Sequence, residues 1–505
     1  MAMSLPAVAI AELANPEQSA RLVSPRELRR MLKALEASQF GRTRATPLAK
    51  LCAAGVDYGW GELERSAGSN LPSPASARAR ANLRRHLQKR LERITRPCLE
   101  LEWTSFKLAM NALGVSSSDA ALTTRMFLRE RPWDRLSLLF QKFPVLANLW
   151  CLAISQWRGY VVEVLERVRK DGPALARFFF SNVSLGTITT LRLGLSDAHN
   201  SGRSVALVEF SEGRRIIYKP RSGKSELAWF SLLALMNRNG FKPKLRVARV
   251  LLRKDYYWME YMEPASCATQ AAARRFYERM GALIAAAYLL KAVDCHRENV
   301  IAAGENPILV DIDALWHVSP LTQTQSSVDV LYRTGFFPTS RRKSLQSRSS
   351  VLGKTITGRH LARIAGKPLS PLDYTNEIIA GFARAWNCML GTPGRRAAFL
   401  RIARGVRGHE RRWIYIATQT YGTILRTSIQ PFALRSSAAR EALIRQSCSR
   451  SGPGKSVIQA EIKALRRLDI PYFTRRTKNW MPPDKPALPS ELTQGIRKAL
   501  QWTGD

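Results

Sequence analysis

The sequence predicts an α+β protein of two lobes behind a helical region, and three observations carry that reading. Residues 1–185 place apolar side chains at helical spacing in one segment after another. From residue 186 short β-rich runs alternate with turn-type sequences, so an antiparallel sheet begins there. Helical periodicity then resumes, with an acidic hairpin at the junction. Strands and helices segregated in this way define an α+β architecture. The expected organisation is a helical region over 1–185, a small lobe over 186–262, and a large lobe with a helical C-terminal elaboration over 263–505.

Each element has its own local signal. "SPRELRRMLKALEAS" opens with a serine able to cap a helix, and "FPVLANLWCLAISQWRGYVVEVLERVRKDG" is a helix expected to stop at Lys170, Asp171 and Gly172. "SARARANLRRHLQKRLERITR", residues 76–96, reads as a basic amphipathic helix with a solvated face. No repeat period is evident, which argues against a solenoid. "TITTLRLGLS", "SVALVEF" and "RRIIYKP" are strands joined by "DAHNSG" and "SEGR" into consecutive hairpins. "SELAWFSLLALMNRNG" is a helix ending at Gly240, and "KLRVARVLLRKDYYWMEYM" holds two further strands. "AARRFYERMGALIAAAYLLKAVD" is a long buried helix that delivers the chain to Asp294. Residues 318–357, Ser-rich and basic, read as a flexible loop.

Composition limits the partners. The chain of 505 residues carries 79 Lys plus Arg against 39 Asp plus Glu, a formal charge of +40 that favours acidic partners: nucleic acid, anionic lipid, phosphate ligands or an acidic peptide. The excess is spread along the chain and is mostly arginine, so a compositional bias and one dedicated binding face stay open as readings. Seven scattered cysteines without a CxxC pair argue against a zinc ribbon and a disulfide framework and point to reduced thiols in the cytoplasm. No secretory signal opens the sequence, and apolar stretches such as "GALIAAAYLL" are too short to span a bilayer. The expectation is a cytoplasmic protein without a membrane span.

The chemistry is concentrated in "DCHRENVIAAGENPILVDID", residues 294–313. Phosphoryl transfer from ATP needs a carboxylate to orient the attacking hydroxyl, oxygen ligands for Mg2+, and a lysine on the phosphates. Asp294 and Asn299 have the spacing of the Asp and Asn in the kinase pattern HRDxxxxN, and Asp311 lies where kinases carry a metal-binding Asp. Lys219 ends the strand "RIIYKP" and is comparable with the lysine of VAIK. Asp313, two residues after Asp311 on the expected strand, shares its face and is a second candidate metal ligand. HRD, DFG and a G-x-G-x-x-G loop are absent, so a conventional protein kinase is not the best match.

Several blocks, in order, carry a resemblance: "DAHNSGRSVALVEFSEGRRIIYKPRS", "AVDCHRENVIAAGENPILVDIDALWH", "SVDVLYRTGFFP", "ATQTYGTILRTSIQPFALR" and "LRRLDIPYFTRR". Over about residues 100–477 the chain resembles the dehydratase half of class II (LanM-type) lanthipeptide synthetases. The resemblance implies a lipid-kinase-like fold that binds ATP and Mg2+, phosphorylates Ser and Thr of a ribosomal precursor peptide, and eliminates the phosphate to leave dehydroalanine or dehydrobutyrine. It implies that Lys219 contacts the ATP phosphates, Asp294 orients the hydroxyl, His296 supports the loop, and Asn299 with Asp311 holds magnesium. It further assigns Arg412 and Thr418 to elimination and sets Asp197 and His199, in the turn "DAHNSG", near the phosphates.

Two departures from that family stand out. Where it reads Arg-x-x-x-Arg-Pro-Thr, this chain has Ile416 for the second Arg and Ala417 for the Pro. No cysteine pair of the zinc-dependent cyclase occurs, so cyclisation is expected of a separate partner. The functional expectation is a stand-alone dehydratase acting on a peptide with an acidic leader, nucleic acid being an unlikely partner. Two alternatives stay open: an ATP-dependent kinase of a peptide or small molecule without elimination, and a catalytically idle, basic peptide- or nucleic-acid-binding protein.

Overall fold

The computed structural model describes residues 22–39, 46–67, 76–114, 120–128, 131–316, 327–338, 350–352, 360–405, 409–449, 454–476, 488 and 490–501. It is a mixture of helices and small antiparallel sheets, an α+β protein, and it divides into two compact units. One comprises Met1–Pro220 with Tyr415–Tyr472, the other Arg221–Ile414 with Phe473–Asp505.

The first unit opens with helices α1 (Pro25–Glu36), α2 (Pro47–Ala67), α3 (Ala77–Ala112), α4 (Ala120–Leu128), α5 (Pro132–Lys142) and α6 (Pro144–Phe179). Helix α1 starts on a capping box: Ser24 accepts from the Glu27 amide, and the Glu27 side chain answers to the Ser24 backbone. The core lies along α6, where Trp150, Trp157, Val161 and Val164 are fully buried. Trp150 also satisfies its indole N–H by donating to Thr95 Oγ1 of α3 at 2.8 Å. Helix α6 does not stop at residues 170–172. It continues through Pro173 to Phe179, because Leu175, Ala176 and Phe179 prolong its buried stripe. Burial over two further turns outweighs the local cost of the Gly-Pro pair. Helix α3 likewise extends well past residue 96, with Pro97 inside it. No single helix among the described residues is long and apolar enough to cross a membrane; α5 and α6 reach that composition only together, across a 116° bend.

Strands β1 (Ile188–Arg192), β2 (Ala206–Phe210) and β3 (Arg215–Lys219) follow as antiparallel neighbours, Leu191 opposite Val208 and Val208 opposite Ile216. The "DAHNSG" turn joins the first two, and "SEGR" the second and third.

The second unit begins with α7 (Lys224–Arg238) and the hairpin of β4 (Val250–Leu252) and β5 (Tyr257–Glu260). Helix α8 (Gln270–Leu289) is buried along almost all of its C-terminal half. It feeds the short hairpin of β6 (Val300–Ala303) and β7 (Asn306–Leu309), registered Val300 to Leu309. Residues 318–357 lie mostly outside the described residues, but Ser327–Arg333 within them form a helix, α9, where a loop is expected. After a two-residue ladder, β8 (Arg363–Ile364) with β9 (Lys367–Pro368), come α10 (Thr375–Leu390), α11 (Pro393–Gly405) and β10 (Glu410–Trp413). The chain re-enters the first unit for α12 (Thr418–Thr427), α13 (Pro431–Leu434), α14 (Ser437–Ser449) and α15 (Lys455–Arg466). It ends in the second with β11 (Phe473–Arg476), paired to β10, and α16 (Ser490–Gln501). All seven cysteines are buried and unpaired with one another.

Candidate active site

The acidic hairpin of the second unit is built on helix α8. That helix ends at Leu289, and residues 290–296 lead into one 3-10 turn at Arg297–Asn299 and then β6. Asp294 takes a left-handed backbone conformation, φ 67°, unusual for a residue other than glycine and held by its surroundings. Asn299 supplies part of that hold: its Nδ2 donates to the Asp294 carbonyl at 2.8 Å. His296 caps the 3-10 turn, its Nδ1 accepting from the Glu298 amide at 3.3 Å. A neutral ring therefore carries its proton on Nε2, which faces Asp294 Oδ1 at 3.5 Å. Burial pushes the Asp294 carboxyl above the usual carboxylate range, while His296 and Arg412 work against the rise and Asp313 and Asp311 add to it.

Strand β7 closes at Leu309, so Asp311 and Asp313 do not lie on it; they sit in the irregular stretch that follows. Their common orientation comes from a cation instead of a pleat. The Arg221 guanidinium pairs through Nη1 with Asp313 and through Nη2 with Asp311. Its Nη2 also reaches Glu226 of α7 at 2.7 Å and the Tyr257 hydroxyl of β5 at 3.4 Å. Tyr257 in turn donates to Glu226, which is fully buried. Opposite charges and planar bidentate geometry suit arginine to this place. Desolvation alone would lower the Arg221 pKa, yet the surrounding acids drive it well above the ordinary value, so the guanidinium stays charged.

A second arginine closes the group. Arg412, on β10, donates its backbone N–H to the Asp313 carbonyl at 3.1 Å. Its Nη1 lies 3.4 Å from Asp294 Oδ2 and 3.8 Å from Asp313 Oδ1. Pairing with β11, Arg412 opposite Thr474, fixes the strand that carries it. The neighbouring Arg411 is buried over the Trp316 ring at 4.9 Å, which ties β10 to the chain just beyond Asp313.

Asp294, His296, Asn299, Asp311, Asp313 and Arg412 are thus brought together within one unit. Lys219, Asp197, His199 and Thr418 belong to the other. Lys219, at the end of β3, is buried. Thr418 begins α12, where the Ala417 carbonyl accepts from the Thr420 amide. Ile416 packs against an apolar cluster of Tyr421, Ile424, Ile444, Ile462 and Leu465, so the place the resemblance reserves for a cation is filled by hydrocarbon. Asp197 is exposed and His199 half-buried in the β1–β2 turn.

Carboxylate and carboxamide oxygens are the donor chemistry that magnesium prefers. One buried carboxylate oxygen, Glu226 Oε2, has no hydrogen-bond partner beside this acidic group. Among the described residues no three His, Cys, Asp or Glu side chains converge as a ready ligand set, since Arg221 takes up Asp311 and Asp313. The residues therefore fit magnesium in donor type. Arg221 and Glu226 escaped the sequence reading. The signal was there: two acids two residues apart near a buried strand call for a buried cation, and "KPRS" supplies one.

Comparison with known proteins agrees with the resemblance. A family model described as a domain of unknown function, DUF4135, matches residues 143–357 and 353–476. The chain belongs to that family, a domain of the LanM type. It is also similar to the lacticin 481/lactococcin biosynthesis protein LcnDR2 of Lactococcus lactis subsp. lactis, at 24% identity over 384 residues, which covers 66% of this chain and 40% of the relative. The chain therefore spans well under half the length of that relative.

Proposed function

We propose that the chain is a lanthipeptide-type dehydratase with a kinase-like, bilobal catalytic core, which phosphorylates Ser and Thr of a ribosomal precursor peptide and then eliminates phosphate. The observation that carries the reading is the placement of Arg412 on the carboxylates of Asp294 and Asp313. A cation fit for a departing phosphate adjoins the carboxylate fit for orienting a hydroxyl.

In the first step the hydroxyl oxygen bonds to the terminal phosphorus of ATP while the bond to ADP breaks, and Asp294 receives the hydroxyl proton. A carboxylate raised by burial is a better proton acceptor than an exposed one. Asn299 and His296 hold the loop at the angle this requires. Asn299, Asp311 and Asp313 are the residues proposed to hold magnesium, which when bound neutralises charge on the phosphates. In the second step a base removes the Cα proton, the electron pair forms the Cα–Cβ double bond, and the Cβ–O bond breaks as phosphate leaves with its pair. Arg412 offers a fork that matches the phosphate oxygens as negative charge collects there. The roles of Thr418, Asp197 and His199 rest on the resemblance, that of Lys219 also on its place at the end of a strand, and the lobes at 186–262 and 263–505 are proposed from the order of strands and helices in the sequence.

The peptide is proposed to carry an acidic leader, drawn to a chain of charge +40 in a salt-dependent way. Incubation with ATP, magnesium and a Ser/Thr-rich peptide encoded nearby, followed by mass spectrometry, tests the function. Net loss of water supports it; unchanged peptide mass refutes it. A second reading, phosphorylation without elimination, is favoured by the hydrocarbon packing of Ile416. A lasting phosphoryl gain would establish that reading instead.

A further inference from the structure

The turn that carries Asp197 and His199 has an unusual backbone. Asn200, Ser201 and Gly202 all have positive φ, at 45°, 74° and 81°. Successive residues of this kind turn neighbouring amide N–H groups to one side, where they accept an anion. The anion is part of the chain itself. Asp469 accepts from the Ser201 amide through Oδ2 and from the Gly202 amide through Oδ1, both at 2.8 Å, across more than 260 residues of sequence.

The residues after it continue the contact. The Ile470 amide donates to the Ala198 carbonyl at 2.8 Å, and the Ile470 carbonyl accepts from His199 Nδ1 at 2.8 Å. A carbonyl can only accept, so His199 carries a proton on Nδ1, and the neutral ring presents Nε2 as its acceptor. Tyr472 sets its ring edge-on to the imidazole, centroids 5.2 Å apart. The clamp is itself anchored: Gln156 of α6 donates to the Arg467 carbonyl at 2.9 Å, and Arg90 of α3 donates to Gln156 at 2.6 Å. Asp469 is buried; burial raises its carboxyl pKa, and the two amides with Arg90 and Arg467 hold that rise back.

We infer that Asp469 is a positioning residue for the Asp197–His199 turn, which fixes the direction and tautomer of His199, a residue that the resemblance sets near the phosphates and that is assigned here to the elimination step. The inference rests on the proposed function for its consequence, but its geometry does not. Asp469 touches no reacting atom; it acts through the turn.

Two measurements on the full chain test it. Hydrogen–deuterium exchange of the turn reads the clamp directly: Asp469→Ala should speed exchange at Ser201 and Gly202 at least tenfold, and unchanged exchange would overturn the inference. Product analysis with peptide, ATP and magnesium reads the consequence. Asp469→Ala should slow elimination at least tenfold more than phosphorylation, so that phosphopeptide accumulates, and Asp469→Asn, which keeps one acceptor oxygen, should recover part of the loss. A wild-type product ratio in Asp469→Ala would overturn the positioning role. If Asp469→Ala does not fold, Asp469→Asn is compared with wild type by the same two readouts. If the wild-type chain modifies no peptide, the function has failed, and exchange alone still decides whether Asp469 holds the turn.

Discussion

Arg412 Nη1 stands 3.4 Å from Asp294 Oδ2. The carboxylate proposed to start phosphoryl transfer and the cation proposed to end elimination are therefore neighbours, and a phosphorylated side chain need not travel between two sites. Their removal should separate the steps. Asp294→Ala is expected to abolish ATP-dependent modification, leaving peptide of unchanged mass. Arg412→Ala is expected to phosphorylate but to eliminate about 100- to 1,000-fold more slowly, the scale of losing one transition-state donor. Mass spectrometry of the peptide checks both, and identical unmodified product from the two variants would refute the division.

Arg221 is predicted to be a structural necessity of the same group. It neutralises Asp311, Asp313 and Glu226 at once, with its side chain only 15% exposed. Arg221→Met removes the cation that Asp311, Asp313 and Glu226 share, which should cost about 3–5 kcal/mol of stability. Thermal unfolding at neutral pH measures this.

How much of this could be read beforehand divides along physical lines. Helices, hairpins and the order of motifs were legible, because periodicity and turn chemistry are local: Ser24 caps where its spacing to Glu27 says it should. The run through Pro173 was not, since the buried contacts of Leu175 and Phe179 decide it and no local signal reports them. Asp294, Asn299 and Asp311 could be chosen by spacing alone. Asp469 could not, because its role depends on partners 267 residues distant, and Arg221, with a partner 90 residues away, left only the indirect signal of two acids in need of a cation.

A buried acid of the first unit should give the stability a pH dependence. Glu461 is fully buried, its Oε1 accepting from the Tyr421 hydroxyl at 2.5 Å and its Oε2 without a partner. Burial raises its pKa above the ordinary value, against the opposing Tyr421 bond. A carboxyl raised in the folded state binds its proton more tightly there than in the unfolded chain. Its contribution is therefore most favourable below the ordinary glutamate range and is lost as pH rises through the raised folded value. Glu461→Gln keeps an acceptor for Tyr421 and removes the charge. It should be more stable than wild type by about 1 kcal/mol at neutral pH, with the advantage vanishing near pH 4. Melting curves across that range decide the matter; a constant difference would sink the account.

The strictest packing prediction concerns the crossing of α8 and α10. Gly281 on one helix and Gly381 on the other let the backbones touch: a Cβ at Gly281 would run into the Ile378 carbonyl and come within 2.8 Å of the Phe382 nitrogen. A Cβ at Gly381 would strike the Glu278 carbonyl and lie 2.9 Å from its Cα. Backbone atoms of two hydrogen-bonded helices cannot rotate aside as a side chain can. Since α8 leads directly to the loop of Asp294, any parting of the helices also moves that loop. Gly281→Ala should destabilise by about 3 kcal/mol, the upper end of overpacking costs, and reduce modification of the peptide in step with the lost fold. Gly159 of α6 is the control. A Cβ there meets nothing within 4 Å, so Gly159→Ala should leave stability unchanged or raise it by about 0.5–1 kcal/mol through helix propensity. Equal melting temperatures for the two variants would show that the close approach of α8 and α10 is not required for the fold.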